Sequence, residues 1–97
     1  MLAITVHLSS LSAASILKAL SQIEHPGQFI SYQRRPGGEN SRPYIQLELV
    51  VGGQTRLVRV YLRTGACRLV REGGADIAHL DPSLIAETLK SRGCYHF

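Results

Sequence analysis

Arginine and tyrosine residues recur through the middle of this chain at spacings that would place several of them on one surface. Nine of the 11 lysines and arginines are arginine, and the formal net charge is +4. The guanidinium group binds carboxylates and phosphates through paired hydrogen bonds and stacks on aromatic rings. Tyrosine rings in turn stack on nucleic-acid bases. This combination of residue types is typical of a surface that binds an anionic partner.

The segment that must position these side chains is residues 44–71, YIQLELVVGGQTRLVRVYLRTGACRLVR. Gly52-Gly53 lies between two runs rich in Val and Leu, and this pattern predicts a two-residue β-hairpin turn. Glycine suits the turn because both central positions need a positive φ. The turn would pair Val51 with Gln54 and, further along the strands, Tyr44 with Tyr61.

Side-chain alternation along these strands separates two faces of the predicted sheet. One face is apolar and is predicted to be buried; it carries Ile45, Leu47, Leu49, Val58, Val60 and Leu62. The other face carries Tyr44, Gln46, Glu48, Val50, Thr55, Leu57, Arg59, Tyr61 and Arg63. A slip of one residue in the pairing would bury the arginines, so the pattern fixes the register.

A second two-residue turn is predicted at Thr64-Gly65, which would place Tyr61 opposite Arg68. The third strand of the ribbon then adds residues to both faces: Cys67 and Leu69 to the apolar face, Arg68 and Val70 to the arginine-bearing one. Cys67 is therefore expected to be a buried free thiol, and two cysteines do not make a disulfide framework.

The flanking segments predict one further strand on each side of a helix, and a second helix at the end. Residues 2–8 alternate as a strand with one buried side. Residues 11–24 have helical spacing, with Ser9-Ser10 as the N-cap pair. Residues 28–34 are predicted to form another strand, and residues 34–43, rich in Pro and Gly, are expected to be the most flexible loop.

Residues 72–80 are interpreted as a connection that contains a short helical turn. Asp81-Pro82 then predicts the start of the last helix, with Asp as the N-cap and Pro in the first helical position. Gly93 is its predicted stop. The inner stripe of this helix is predicted to contain Leu84, Ile85, Thr88 and Leu89.

Taken together, these elements predict a two-layer α+β fold in the order β-α-β-β-β-β-α. We expect one antiparallel sheet with both helices on its apolar face, because each helix has a single apolar stripe to bury. With 97 residues, the chain is expected to form a single domain, residues 1–97.

Signatures of catalysis and of metal binding are absent from the sequence. The glycine pairs lack the spacing of phosphate-binding loops, there is no Cys-x-x-Cys, and the four histidines fall in four different segments. We therefore expect no catalytic residues, no metal and no cofactor, and treat an enzymatic role as a minor alternative. No apolar run approaches a membrane span and no signal peptide is evident, so the cytoplasm is the expected location.

The arginine-bearing face and the 34–43 loop give two hypotheses of function. In the first, the protein binds RNA or single-stranded DNA, with tyrosines stacking on bases and arginines contacting phosphates. In the second, the same face docks on an acidic protein surface, as an inhibitor or adaptor that occludes a partner, or forms a homodimer. The excess of Arg over Lys favours the first. The residues assigned to the site are Arg34, Arg35, Arg42, Tyr44, Arg59, Tyr61, Arg63 and Arg68.

A third interpretation assigns this face no partner at all. Tyrosine pairs and arginine–tyrosine stacks stabilise exposed sheets by themselves, and Glu48 could pair diagonally with Arg59.

Overall fold

A computed structural model describes residues 2–34, 41–70 and 75–94 of the chain. These residues form a mixed α+β fold with two helices and a six-stranded sheet. A 3-10 turn at Pro26–Phe29 precedes the second strand. The strands and helices, in chain order, are β1 (Leu2–Leu8), α1 (Ala13–Ser21), β2 (Ile30–Arg34), β3 (Ser41–Val51), β4 (Gln54–Tyr61), β5 (Ala66–Leu69), β6 (Asp76–His79) and α2 (Pro82–Ser91).

The sheet is mixed, so the prediction of a purely antiparallel sheet is wrong. Its strand order is β1-β3-β4-β5-β6, with β2 also paired to β3. β1 runs parallel to β3, whereas every other pair is antiparallel. A parallel pair needs a long crossover, usually through a helix, and α1 lies in the connection between β1 and β3. β2 pairs with residues 41–45 of β3, and β1 pairs with residues 46–51 on the same strand.

The central hairpin of β3 and β4 has the predicted register. Gly52 and Gly53 both have positive φ, 56° and 78°. Val51 pairs with Gln54 at the turn, and Tyr44 pairs with Tyr61 at the far end. The diglycine prediction and the pairing that follows from it are therefore confirmed.

The second turn is longer than predicted, because β4 ends at Tyr61 and β5 begins only at Ala66. The Gly65 N–H donates to the Tyr61 carbonyl at 2.8 Å and closes a four-residue loop, residues 62–65. As a result Arg68 lies opposite Arg59 rather than opposite Tyr61. The pairing is displaced by two positions, and because side chains alternate with a period of two, each residue keeps its predicted face.

The segment predicted as a connection with a helical turn contains a strand instead. Residues 76–79 form β6, which pairs antiparallel with β5; residues 72–74 lie outside the described part of the chain. The pairing is irregular between Cys67 and Arg68, where the register shifts. Such an irregularity disrupts the period-two pattern by which a strand is recognised in a sequence.

The first helix begins later and ends earlier than predicted. Its N-cap is Ser12, not Ser9 or Ser10, because the Ser12 hydroxyl accepts a hydrogen bond from the Ser15 N–H at 3.2 Å. It ends at Ser21, and the chain then enters the 3-10 turn that starts with Pro26.

Both ends of the second helix match their sequence signals. Asp81 caps the start, where its carboxylate accepts from the Ser83 N–H at 2.9 Å. At the other end Gly93 has a φ of 85°, and its N–H donates to the Lys90 carbonyl. The Cys94 N–H donates to the Leu89 carbonyl, so the two bonds together form a Schellman motif.

One hydrophobic cluster contains residues of both helices and of the apolar strand rows. The strand residues at its centre have no exposed surface, as predicted, and the two helices contact each other. Leu84, assigned to the inner stripe of α2, is 44% exposed, so that assignment is wrong, whereas Ile85 and Leu89 are buried. The fully buried members are Ile16, Ala19, Leu20, Ile23, Ile45, Leu47, Leu49, Val58, Val60, Leu62, Cys67, Ile85 and Leu89. Among the described residues, no helix has the length and apolar content needed to cross a membrane.

Candidate nucleic-acid interface on the arginine–tyrosine face

The face of the sheet opposite the apolar rows carries a cluster of five side chains, Arg42, Tyr44, Arg59, Tyr61 and Arg68, here named the arginine–tyrosine face. Strand pairing brings them together. Tyr44 and Tyr61 are direct cross-strand partners, and their ring centroids lie 5.9 Å apart with the planes tilted by 53°. The diglycine turn fixes this pair, since it sets the register of β3 on β4.

Each guanidinium group of the cluster lies over a tyrosine ring. The Cζ of Arg59 is 4.2 Å from the centroid of Tyr44. The Cζ atoms of Arg42 and Arg68 are 5.3 and 5.4 Å from the centroid of Tyr61. Contacts of this kind contribute roughly 0.5–1 kcal/mol each at exposed sites. The tyrosines therefore hold the three cations close to one another on the sheet.

Tyr61 is almost completely covered by its neighbours. It is 6% exposed, its hydroxyl donates to Gln33 Oε1 at 2.8 Å, and Arg59 Nη1 lies 3.4 Å from the same hydroxyl. Tyr44 is only half-buried. In this arrangement Tyr44 is the more accessible ring, and Tyr61 supports the arginines around it.

A second row of side chains runs across four strands beside the tyrosine pair. Gln46 pairs with Arg59, Arg59 with Arg68, and Arg68 with Asp76. Arg59 and Arg68 are therefore like charges placed directly opposite each other, an arrangement that destabilises a sheet unless something compensates.

Asp76 compensates part of this charge at the β6 end of the row. Its Oδ1 accepts from Arg68 Nε at 2.6 Å, and its Oδ2 lies 3.3 Å from His79 Nε2. The hydrogen bond to Asp76, together with the charge of that carboxylate, raises the pKa of Arg68 above its ordinary value. The ion pairs of the described residues do not include the proposed diagonal pair between Glu48 and Arg59.

Arg59 retains an unsatisfied donor. Its Nε atom is inaccessible to solvent and has no hydrogen-bond partner, the sole such atom among the side chains that the structure describes, which leave out those of residues 2–5 and 41. Leaving a buried donor unpaired costs about 1–3 kcal/mol. An acceptor supplied by a bound partner would recover this energy.

A cleft of about 210 Å³ opens beside Arg59, between β4 and β5. Its lining combines two cations with a tyrosine and two apolar residues; Val70 is 39% exposed, whereas Leu69 also packs against the core cluster. The lining residues are Arg59, Tyr61, Arg68, Leu69 and Val70.

The remaining predicted site residues are less closely gathered. Arg34 is exposed at the end of β2, and alternation directs it away from the face that carries Gln33. Arg63 is exposed in the four-residue loop rather than in a strand row. Arg35 lies outside the described residues, as do residues 36–40 of the predicted 34–43 loop. Arg34 and residues 41–43 lie in the paired strands β2 and β3, so for them the loop prediction is wrong.

Two polar partners of the site were not identified from the sequence, Gln33 and Asp76. Gln33 reaches Tyr61 across 28 positions of the chain, and Asp76 belongs to the strand that the sequence does not reveal. Neither residue type is distinctive on its own, so only knowledge of the strand pairing would have found them.

The arrangement is suited to binding an anion. Within the described ranges, no three His, Cys, Asp or Glu side chains lie close enough together to hold a metal ion. The three arginines of the face present planar donors that match phosphate and carboxylate oxygens. Comparisons with protein families, with curated proteins and with solved structures find no match to this chain.

Proposed function

We propose that this protein is a small non-enzymatic module that binds RNA or single-stranded DNA through the arginine–tyrosine face, with residues 34–43 as a second contact. One observation carries the proposal: Arg59 and Arg68 lie directly opposite each other on neighbouring strands, with their guanidinium groups held over tyrosine rings. Cations that track phosphates beside stacked aromatic rings are the usual means of binding a single strand.

The charge balance of the face supports an anionic ligand. Three guanidinium groups are accompanied on this face by two carboxylates, Glu48 and Asp76, of which Asp76 is bonded to Arg68. The face therefore has a net positive charge, and like charges this close repel each other in the absence of a ligand. A phosphate backbone would relieve that repulsion while it released counterions from the nucleic acid.

The two tyrosines have different roles in this proposal. Tyr44 offers the accessible ring, which the Arg59 guanidinium covers at 4.2 Å in the absence of a ligand. A base takes the place of the guanidinium on this ring when Arg59 turns toward a phosphate. Tyr61 is bonded to Gln33 and nearly covered, so its part is to position Arg42 and Arg68.

The proposal also requires that the face be open to a partner. We propose that both helices cover the apolar face, since α1, α2 and the apolar rows share one cluster. We further propose a cytoplasmic location, where single-stranded RNA is abundant.

The test is a binding titration with fluorescently labelled RNA and single-stranded DNA at low ionic strength, read by anisotropy. Arg59→Glu should weaken binding about tenfold or more, because it removes a phosphate contact and adds a repelling charge. The matched control is Arg56→Glu, the same change on the same strand in the alternate row. Circular dichroism and thermal unfolding would establish that both variants remain folded.

Equal affinities for the Arg59 and Arg56 variants, or no salt-sensitive binding by the wild-type protein, would reject the proposal. The second hypothesis, an occluding contact with an acidic protein surface or a second copy of this chain, has its own support in the apolar part of the cleft, where Val70 is 39% exposed. That hypothesis would be favoured if the wild-type protein bound no nucleic acid and its mass in light scattering exceeded that of a monomer.

A further inference from the structure

We infer that the cleft between β4 and β5 is a subsite for one phosphate group, held between the guanidinium groups of Arg59 and Arg68. The inference deepens the proposed function and rests on it for the source of the phosphate, a strand of nucleic acid. Its geometric basis is local: a cleft of about 210 Å³ whose two charged lining residues come from directly paired positions.

Arg59 has donors available for such a ligand. Its Nε is unpartnered, and its Nη1 makes only a long contact, 3.4 Å, with the Tyr61 hydroxyl. The guanidinium is held over the Tyr44 ring, with the Nε covered. Rotation of the side chain off the ring toward the cleft would present Nε and one Nη as a fork, the arrangement in which arginine binds two phosphate oxygens.

Arg68 is positioned by Asp76 for the second contact. Its Nε is committed to the carboxylate at 2.6 Å, which fixes the plane of the guanidinium and leaves the Nη groups for the cleft. The same carboxylate repels an incoming anion. Asp76→Asn should therefore tighten phosphate binding severalfold, since the amide oxygen still accepts from Arg68 but the negative charge is gone. Unchanged or weaker binding by this variant would contradict a phosphate beside Asp76.

The phosphate could be a terminal monoester or an internal diester, since both offer non-bridging oxygens to the two arginines. Two oligonucleotides of the same sequence, one with a 5′-phosphate and one with a 5′-hydroxyl, separate these sources. Preference for the phosphorylated form identifies a terminal phosphate, whereas equal binding with the same response at Arg59 and Arg68 identifies an internal one.

The experiment follows the arginine Nε–H resonances of ¹⁵N-labelled protein during titration with inorganic phosphate, against chloride at matched ionic strength. Phosphate should shift the resonances of Arg59 and Arg68 along a saturating curve, while those of Arg56 and Arg92 stay in place. Arg59→Lys should abolish saturation because it keeps the charge but removes the fork. Uniform small shifts at all arginines, or none, would overturn the inference.

The outcomes separate this inference from the proposed function. Saturating shifts with inorganic phosphate but no oligonucleotide binding would leave the phosphate subsite standing and reject the nucleic-acid function. Oligonucleotide binding that Arg59→Glu weakens, without saturating phosphate shifts at Arg59 and Arg68, would support the function and overturn the subsite.

Discussion

The two faces of the β3–β4 hairpin are built from the same strands but differ in which groups cover their buried side chains. On the apolar face Leu47, Val58 and Val60 have no exposed surface and belong to the core cluster. On the arginine–tyrosine face Tyr61 is nearly as buried, at 6% exposed, but cations and polar groups cover it. Burial on the first face is apolar throughout, whereas on the second it leaves the Arg59 Nε unpaired.

This difference indicates that the stability of the fold explains the residues of the apolar face but not those of the arginine–tyrosine face. Burial of apolar surface stabilises the fold at about 25 cal/mol per Å², so the apolar rows need no further explanation. Two arginines placed opposite each other, and a buried donor without a hydrogen-bond partner, both lower stability. Sequences retain such local conflicts mainly at functional sites. The arginine–tyrosine face is therefore the region where function should be sought, and changes on the two faces should have different consequences.

The largest effect is expected from equal truncations on the two faces. Leu47→Ala should lower the free energy of unfolding by about 2–5 kcal/mol, because it leaves a cavity in the fully buried core. Leu57→Ala, the same change on the half-buried opposite face, should cost about 1 kcal/mol or less. Urea unfolding measures both, and similar losses for the two variants would mean that the faces are not distinguished as described.

The two turns that flank β4 allow a second comparison, between Gly65 and Gly52. A Cβ at Gly65, where φ is 80°, would lie 1.9 Å from the Leu80 carbonyl oxygen, whereas a Cβ at Gly52 meets nothing within 4 Å. Gly65→Ala should also disturb the bond from the Leu80 N–H to the Gly65 carbonyl. We expect a loss of about 3 kcal/mol or more for Gly65→Ala and about 1–2 for Gly52→Ala. Thermal unfolding would show which substitution costs more stability. A smaller loss for Gly65→Ala than for Gly52→Ala would contradict the close approach of Leu80.

A third effect, which appears only as the solution becomes alkaline, is expected on the apolar face at Cys67. Burial, with a lesser contribution from the charge of Asp76, raises the pKa of this thiol to about 12. The unfolded chain ionises at about 8.5, so the stabilising contribution is complete below that pH and is lost as the pH rises toward 12. Within this window, stability should fall by about 1.4 kcal/mol per pH unit.

The control for this prediction is Cys67→Ala, in which the thiol is absent. Denaturant midpoints for the wild type and the variant should diverge at neutral pH and converge as the solution becomes alkaline. Parallel curves across the alkaline range would mean that the Cys67 thiolate is not disfavoured by the fold.

Much of the hairpin could be predicted from the sequence, because diglycine and strict alternation fix register locally. The strand directions were harder to predict. Nothing in the alternation of β1 distinguishes a parallel from an antiparallel partner, and the register shift in the β5–β6 pairing conceals β6. The loop at Thr64-Gly65 was predicted too short because Gly65 adopts the expected positive φ, but at the end of a four-residue loop, where it also bonds Leu80.

The sequence predicts which face of the sheet carries the candidate site, but not the contacts between its residues. Arg59, Tyr44 and Tyr61 follow from the hairpin register alone, which the structure confirms. The opposition of Arg59 and Arg68 depends on the length of the second loop, and the pairing of Arg68 with Asp76 depends on the unrecognised strand. The covering of Tyr61 arises from three side chains contributed by different strands, Gln33, Arg42 and Arg68.

The central claim, that Arg59 and Arg68 contact phosphates, is tested most directly by the salt dependence of binding. For single strands, log K falls with log salt with a slope of about −0.7 for each phosphate neutralised. The double variant Arg59→Gln with Arg68→Gln should therefore have a slope shallower than the wild type by about 1.4. The control pair Arg56→Gln with Arg92→Gln should keep the wild-type slope. Equal slopes for the wild type and the Arg59/Arg68 variant would contradict the claim.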